Sequence, residues 1–228
     1  MSTIADNVSQ VDERIRAAAL VAQRDPSTIN LLAVSKTKPA AALREAFAAG
    51  LSDFGENYLQ EALSKQLELA DLPLCWHFIG PIQSNKTRAI AEHFAWVHSV
   101  DRLKIAQRLS EQRPAELPAL NICIQINVSG EASKSGCTPE DLPALAAAIS
   151  ALPRLKLRGL MAIPEPTDDV SAQHAAFAAV SSLQQSLNLP LDTLSMGMSH
   201  DLEAAIAQGA TWVRIGTALF GARDYGQP

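Results

Sequence analysis

Lys36 stands two residues past the end of the apolar run Leu31-Leu32-Ala33-Val34, in a short polar turn, Ser35-Lys36-Thr37-Lys38-Pro39. A lysine at the end of a buried strand is held where water is scarce. Desolvation lowers its pKa and raises the share of neutral amine, the form that attacks a carbonyl to make a Schiff base. An ordinary solvated lysine is the competing reading, and Lys38 and Lys134 are competing candidates. A second set of residues lies near the end of the chain, where Ser195-Met196-Gly197-Met198-Ser199-His200 precedes a helical segment and Val213-Arg214-Ile215-Gly216-Thr217 follows it. Ser199 suits an N-cap, and glycine at 216 lets a ligand approach the backbone, so the local amides can cradle a phosphate. Asp201 and Glu203 would repel that phosphate unless they point away, which leaves simple helix capping as the alternative.

Other chemistries find less support. His77 and His98 fall on neighbouring predicted strands, but with no HExxH and no clear third ligand they read as packed or rim histidines rather than a zinc site. Ser129-Gly130 and Met198-Ser199 do not make the GxSxG of a serine hydrolase. The first turn contains no glycine, so a dinucleotide fingerprint is missing, and no GxxxxGK[ST] offers a nucleotide loop. Trp76, Trp96 and Trp212 belong to separate strand-like runs and read as packing groups. Only Tyr58 and Tyr225 supply phenols.

These residues need a frame that brings distant segments to one rim. Short apolar runs at 31–34, 51–54, 74–79, 95–99, 121–127, 155–160, 192–195 and 211–215 each precede a helical segment, starting with the alanine-rich 40–49. The runs are nearly continuous rather than alternating, as strands covered by helices should be. Eight such units predict a single α/β domain over 1–228, a (β/α)8 TIM barrel at 31–221 preceded by a leading helix within 1–26. An open doubly wound sheet is the alternative. In a barrel, sites form at the carboxyl ends of the strands. Those positions hold Lys36; Glu56 and Asn57; Gln83, Ser84 and Asn85; Ser99 and Asp101; Asn127, Ser129, Glu131 and Lys134; Met161; Ser199 and His200; and Arg214, Gly216 and Thr217. The segment 164–169 reads as a loop between strand and helix.

Composition narrows the class further. The 19 basic and 24 acidic side chains leave a net charge of -5, without the cationic surplus of a generic nucleic-acid or acidic-membrane binder. No apolar run approaches the roughly 20 residues that span a bilayer. The first residues lack a secretory pattern, and Cys75, Cys123 and Cys137 are too scattered for a disulfide framework, so a soluble cytoplasmic protein with reduced thiols is expected.

Longer segments carry a resemblance: LLAVSKTKP at 31–39, FGENYLQE at 54–61, WHFIGPIQSNKTR at 76–88, INVSGEASKSG at 126–136, RGLMAIP at 158–164 and LSMGMSHDLEAAIAQGATWVRIGTALFG at 194–221. In these the chain closely resembles the YggS/PROSC family of pyridoxal phosphate homeostasis proteins, whose fold type III barrel is similar to the N-terminal domain of alanine racemase. The resemblance implies that Lys36 holds pyridoxal 5'-phosphate (PLP, the vitamin B6 cofactor) as a reversible Schiff base. It also implies that Asn57 lies beside the cofactor, that Arg214 faces the pyridine nitrogen, and that Ser199, Gly216 and Thr217 bind the phosphate, with His200 and Met196 nearby.

An arginine at the ring nitrogen bears on mechanism, because a guanidinium accepts no proton and weakens the cofactor as an electron sink. A racemase also needs acid and base groups on opposite faces of the substrate. In racemases of this type the second is a tyrosine from an additional C-terminal domain contributed across a dimer. This chain ends at Pro228, soon after Gly221, so no such domain and a monomer are expected. The resemblance therefore implies a PLP binder in intracellular PLP homeostasis, without robust catalytic activity, that delivers the cofactor to apoenzymes and contacts neither nucleic acid nor membrane. A PLP-dependent amino acid racemase or other small PLP enzyme is the alternative. A cofactor-free Schiff-base aldolase and an interaction-only role are further classes.

Overall fold

Eight short apolar segments pair side by side, all in parallel, and the last closes on the first. The computed structural model describes residues 2–129 and 135–221. The strands are β1 (Asn30–Val34), β2 (Asp53–Glu56), β3 (Cys75–Phe78), β4 (Trp96–Val100), β5 (Leu120–Gln125), β6 (Leu155–Met161), β7 (Thr193–Ser195) and β8 (Trp212–Ile215). They follow chain order around a closed barrel, and β1 meets β8 with Leu32 opposite Arg214. This is the (β/α)8 barrel expected from the repeated strand and helix rhythm, and it excludes the open sheet.

Eight helices follow the strands: α2 (Ala40–Ala48), α3 (Leu59–Glu68), α4 (Thr87–His93), α5 (Leu103–Gln112), α6 (Leu142–Ser150), α7 (Val170–Ser186), α8 (Leu202–Ala207) and α9 (Thr217–Phe220). Apolar residues recur along them at helical spacing, as at Ile105, Ala106 and Leu109 of α5, and bury that stripe against the strands. The segment 164–169 is the loop between β6 and α7.

A further helix, α1 (Ile4–Val21), precedes the barrel. Thr3 caps it and forms a reciprocal capping box with Asp6. Its buried face, Val8, Val11, Ile15, Ala18 and Ala19, lies against α2, α8 and α9. This is the leading helix expected within 1–26, and Ile4 and Val8 continue the apolar spacing of Val11 and Ile15 back to the cap.

β2 also differs from the run read at 51–54, being shifted by two residues so that Glu56 is its last residue. Glu56 is fully buried, and apolarity alone marks such a carboxylate as the end of a strand. Its partners come from elsewhere in the fold.

Candidate functional site

The turn after β1 is held from below by a buried ionic cluster. Lys65 of α3 reaches the Ser35 carbonyl oxygen at 2.7 Å and donates to Glu56 Oε1 at 2.7 Å and Glu61 Oε1 at 2.5 Å. The Ser35 hydroxyl donates to the same Glu56 oxygen at 2.6 Å. Burial pushes the Glu56 carboxyl up, and the neighbouring Lys65 opposes that shift. Thr37 takes a left-handed backbone with φ 65°, unusual for a β-branched residue, and its N–H donates to Glu61 at 2.6 Å. The turn carrying Lys36 is thus fixed on both sides of the lysine.

Lys36 opens onto a cavity of ≈ 200 Å³ at the carboxyl ends of the strands, which also has Asn57, Ser199, His200, Arg214, Gly216 and Thr217 in its wall. Seven of the eight residues singled out from sequence are therefore brought to one cavity. The eighth, Met196, is fully buried in the apolar core, and Met198 stands at the cavity instead. Gly197, with φ 94°, separates the two and turns the chain outward. Lys38 also borders the cavity, and its amine donates to the Phe220 carbonyl oxygen at 3.0 Å. Lys134 and Glu131, as well as Tyr225, lie outside the described residues.

Asn57 owes its place to a glycine. A Cβ on Gly80 would stand 2.3 Å from the Asn57 carbonyl oxygen, so only glycine allows the β2 and β3 ends to approach this closely. The Asn57 side-chain oxygen is buried without a hydrogen-bond partner.

The last two strand ends form a cup. Ser199 is not the N-cap of α8, as its position had suggested. That place belongs to Asp201, whose carboxylate accepts from the Met198 N–H at 2.6 Å. Glu203 pairs with Arg14 of α1 at 2.8 Å. Both acids that argued against an anion are therefore engaged elsewhere. Arg14 also donates to the Ser199 carbonyl oxygen at 3.0 Å, so α1 grips the loop directly. Gly216 caps α9, and a Cβ there would come within 3.3 Å of the Val34 carbonyl oxygen. The first N–H groups of a helix have no partner within it and suit an anion.

Arg214 is 4% exposed. Its guanidinium donates to the Ser195 carbonyl oxygen at 2.6 Å, to Ser195 Oγ at 2.9 Å and to the Ala162 carbonyl oxygen at 2.9 Å. Burial brings its pKa down to about 10, which leaves it a cation at neutral pH. Three acceptors fix the plane of the group relative to the cavity.

Lys65 and Glu61 escaped the sequence reading. Leu59, Ala62 and Lys65 are all buried on one face of α3, so a lysine in phase with an apolar stripe was the available signal. Asp53, Cys75 and His77 also converge, their ligand-type atoms lying within 4.8 Å of one another, on the side of the barrel where the strands begin.

The alanine racemase N-terminal domain family matches residues 3–224. The chain is 78% identical over 228 residues to the pyridoxal phosphate homeostasis protein of Pseudomonas aeruginosa, covering 100% of this chain and 99% of that relative. The chain belongs to the pyridoxal phosphate homeostasis protein family. Another member of this family, from Escherichia coli K12, is 56% identical over 231 residues and covers 99% of each chain. The solved structure of PipY from Synechococcus elongatus PCC7942, with PLP bound, matches at a TM-score of 0.82 and 42% identity, covering 96% of this chain and 100% of that one. Family membership and the closed barrel agree with the fold and kinship expected from sequence.

Proposed function

We propose that the chain binds pyridoxal 5'-phosphate in this cavity and serves to hold and release it, as part of PLP homeostasis, rather than to turn over a substrate. The observation that carries the reading is the convergence of Lys36, Arg214, Ser199, Gly216 and Thr217 on one cavity, in a chain 42% identical to a relative solved with PLP bound. The residues present fit such a ligand. Asn57 offers a buried oxygen without a partner, a side chain at Gly216 would crowd Val34, and near the cup Asp201 accepts the Met198 N–H while Glu203 pairs with Arg14.

When bound, the cofactor supplies an aldehyde that combines reversibly with amines, a phosphate dianion and an aromatic ring nitrogen. Lys36 is the amine assigned to the aldehyde, and its anchored turn holds it at the cavity. Ser199, Gly216 and Thr217 are assigned to the phosphate, with His200 at the exposed edge. Asn57 would lie beside the ring, and Met196 would support the cup from the core.

Arg214 bears on the choice between holding and catalysis, although a weak electron sink does not by itself forbid racemisation. A guanidinium offers donors only, so it gives the ring nitrogen no acidic partner able to shuttle a proton, and electron withdrawal by the ring stays weak. That suits storage. Both curated relatives are called homeostasis proteins, in line with this reading. Among the described residues no helix is long and apolar enough to cross a membrane. We place the protein in the cytoplasm as a monomer that passes PLP to apoenzymes.

The test is borohydride reduction of the PLP-treated protein followed by peptide mapping. A single pyridoxyl group on Lys36, lost in Lys36→Ala, is expected. An adduct retained in that variant, or none in the parent, overturns the assignment, and turnover of an enantiopure amino acid would move the reading to a racemase.

A further inference from the structure

A line of polar groups crosses the barrel interior, from the end where the strands begin to the cofactor cavity. Asp53 Oδ1 is 3.0 Å from His77 Nε2, and His77 Nδ1 is 2.9 Å from His98 Nε2. His98 Nδ1 is then 2.7 Å from Ser195 Oγ, which lies 2.9 Å from Arg214 Nη1. These residues come from β2, β3, β4, β7 and β8. His77, His98 and Ser195 are completely buried, while the Asp53 side chain keeps 29% exposure. Trp96 stacks on His77 at 5.5 Å, and Trp212 lies 4.9 Å from it. The two indoles, which also contact His98, belong to an apolar cluster with Leu32, Cys123 and Met161.

The protons on this line can be counted. An ionised carboxylate only accepts, so the His77 proton must be on Nε2. Burial holds His77 and His98 below the usual histidine range, His98 far below, and both rings are neutral near pH 7. A neutral ring with its proton on Nε2 must accept at Nδ1. His98 therefore also carries its proton on Nε2 and accepts at Nδ1 from the Ser195 hydroxyl. The Ser195 oxygen in turn accepts from Arg214, which has nothing but donors. Each of the four bonds has one proton and one acceptor, and all four point from the cation at Arg214 to the anion at Asp53.

We propose that Asp53, His77, His98 and Ser195 form a one-way hydrogen-bond chain that positions Arg214, so that a carboxylate at the far end of the barrel sets the proton arrangement behind the cofactor cavity. At the start of this chain Asp53 accepts from His77 Nε2–H and from the Ser52 hydroxyl at 2.9 Å, and Cys75 Sγ stands 3.4 Å from the same His77 nitrogen. A chain whose bonds all run the same way is polarised along its length, each donor strengthening the next. Reversing the proton at one end requires reversing it at every ring.

The role of the chain toward the cofactor rests on the reading of the cavity as a PLP site, but its proton arrangement does not. The experiment is therefore nitrogen-15 NMR of histidine-labelled protein without cofactor, near neutral pH. Both His77 and His98 are expected as neutral rings with the proton on Nε2. A charged ring, or a proton on Nδ1 of either, overturns the proposal. In Asp53→Lys the new ammonium must donate to His77 Nε2, so His98, which residue 53 does not touch, is expected to move its proton to Nδ1. A folded variant in which His98 stays unchanged refutes the coupling, and the parent spectrum decides the matter if the variant does not fold. Ser195→Ala removes one of the three acceptors of Arg214, and an approximately fivefold to tenfold rise in the PLP dissociation constant is expected, about the worth of one hydrogen bond. Unchanged affinity, with the Lys36 adduct still forming, overturns the positioning role alone. Loss of the Lys36 adduct in the parent with the tautomers as stated overturns the PLP reading and leaves the chain.

Discussion

Lys65 Nζ lies 2.7 Å from the carbonyl oxygen of Ser35, the residue immediately before Lys36. A buried cation thereby fixes the backbone from which Lys36, the lysine proposed to hold the cofactor, projects. Its partner Glu56 has no exposure, and removing one member of a buried ion pair leaves the other charge uncompensated. Lys65→Ala is expected to destabilise the protein by about 3–5 kcal/mol. Urea unfolding measures this directly, and a loss within roughly 0.5 kcal/mol, the range of an ordinary surface substitution, would refute the structural role.

Gly80→Ala tests the close approach at Asn57. The added methyl would stand 2.3 Å from the Asn57 carbonyl oxygen, so one strand end has to move. An overpacking cost of about 1–3 kcal/mol is expected, together with weaker PLP binding because Asn57 is displaced. Fluorescence titration and thermal unfolding report the two effects. If affinity is unchanged while stability falls, Asn57 does not contribute to the site.

Arg14 is expected to matter for binding although it lies on α1, outside the barrel. It donates to the Ser199 carbonyl oxygen and pairs with Glu203. Arg14→Ala frees the loop and leaves the Glu203 charge unpaired near the cup. A loss of about 1–2 kcal/mol in PLP binding is expected, roughly fivefold to thirtyfold in the dissociation constant. Inorganic phosphate should protect the parent against unfolding more than the variant, and equal protection would argue that α1 does not support the cup.

Acid should destabilise the fold through its interior. His77 and His98 both titrate below the ordinary 6.5 when folded. Between the folded and unfolded values the unfolded chain binds the extra protons, so stability rises with pH in that window. The contribution is complete above about pH 6.5 and is lost as pH falls below it, with a slope of up to about 2.7 kcal/mol per pH unit for two rings. Asp53, lowered by its contact with His77 and other hydrogen bonds, adds a loss of the same sign further into acid. Glu56 and Asp12, both raised mainly by burial, act in the opposite direction. Denaturant midpoints from about pH 7 to about pH 5 should therefore fall, and should fall less in His98→Gln. A flat profile in the parent would show that the rings are already charged or already exposed.

The barrel was legible because its strands are covered on both faces. Leu31 to Val34 and Ile122 to Ile124 present uninterrupted apolar runs, and a polar residue, Ser35 or Gln125, follows each where the strand opens to the rim. Glu56 hid the end of β2, since the Lys65 and Ser35 groups that make its burial tolerable come from other elements. The choice between Met196 and Met198 turned on the backbone at Gly197, whose positive φ no periodicity reveals. The cap of α8 is Asp201 rather than Ser199 because the helix begins only at Leu202, and the Ser199 carbonyl oxygen is bound instead by Arg14, a partner far away in sequence. His77 and His98 were placed on adjacent strands, but their shared line to Arg214 depends on the register of the barrel, in which His77 pairs with Trp96.

The long-range grip of α1 also orders events during synthesis. Asn7 bonds the Leu219 carbonyl oxygen across 212 positions, and Arg14 reaches Ser199 across 185. At about 5–20 residues per second, the ribosome delivers those partners roughly 10–40 s after the helix itself has formed. Throughout that interval the apolar face with Val11 and Ile15 has α2 to pack against but neither α8 nor α9. The cavity at the strand ends joins the early Lys36 and Asn57 to the late Ser199, Arg214, Gly216 and Thr217, so its wall is complete only when the last strand has been delivered.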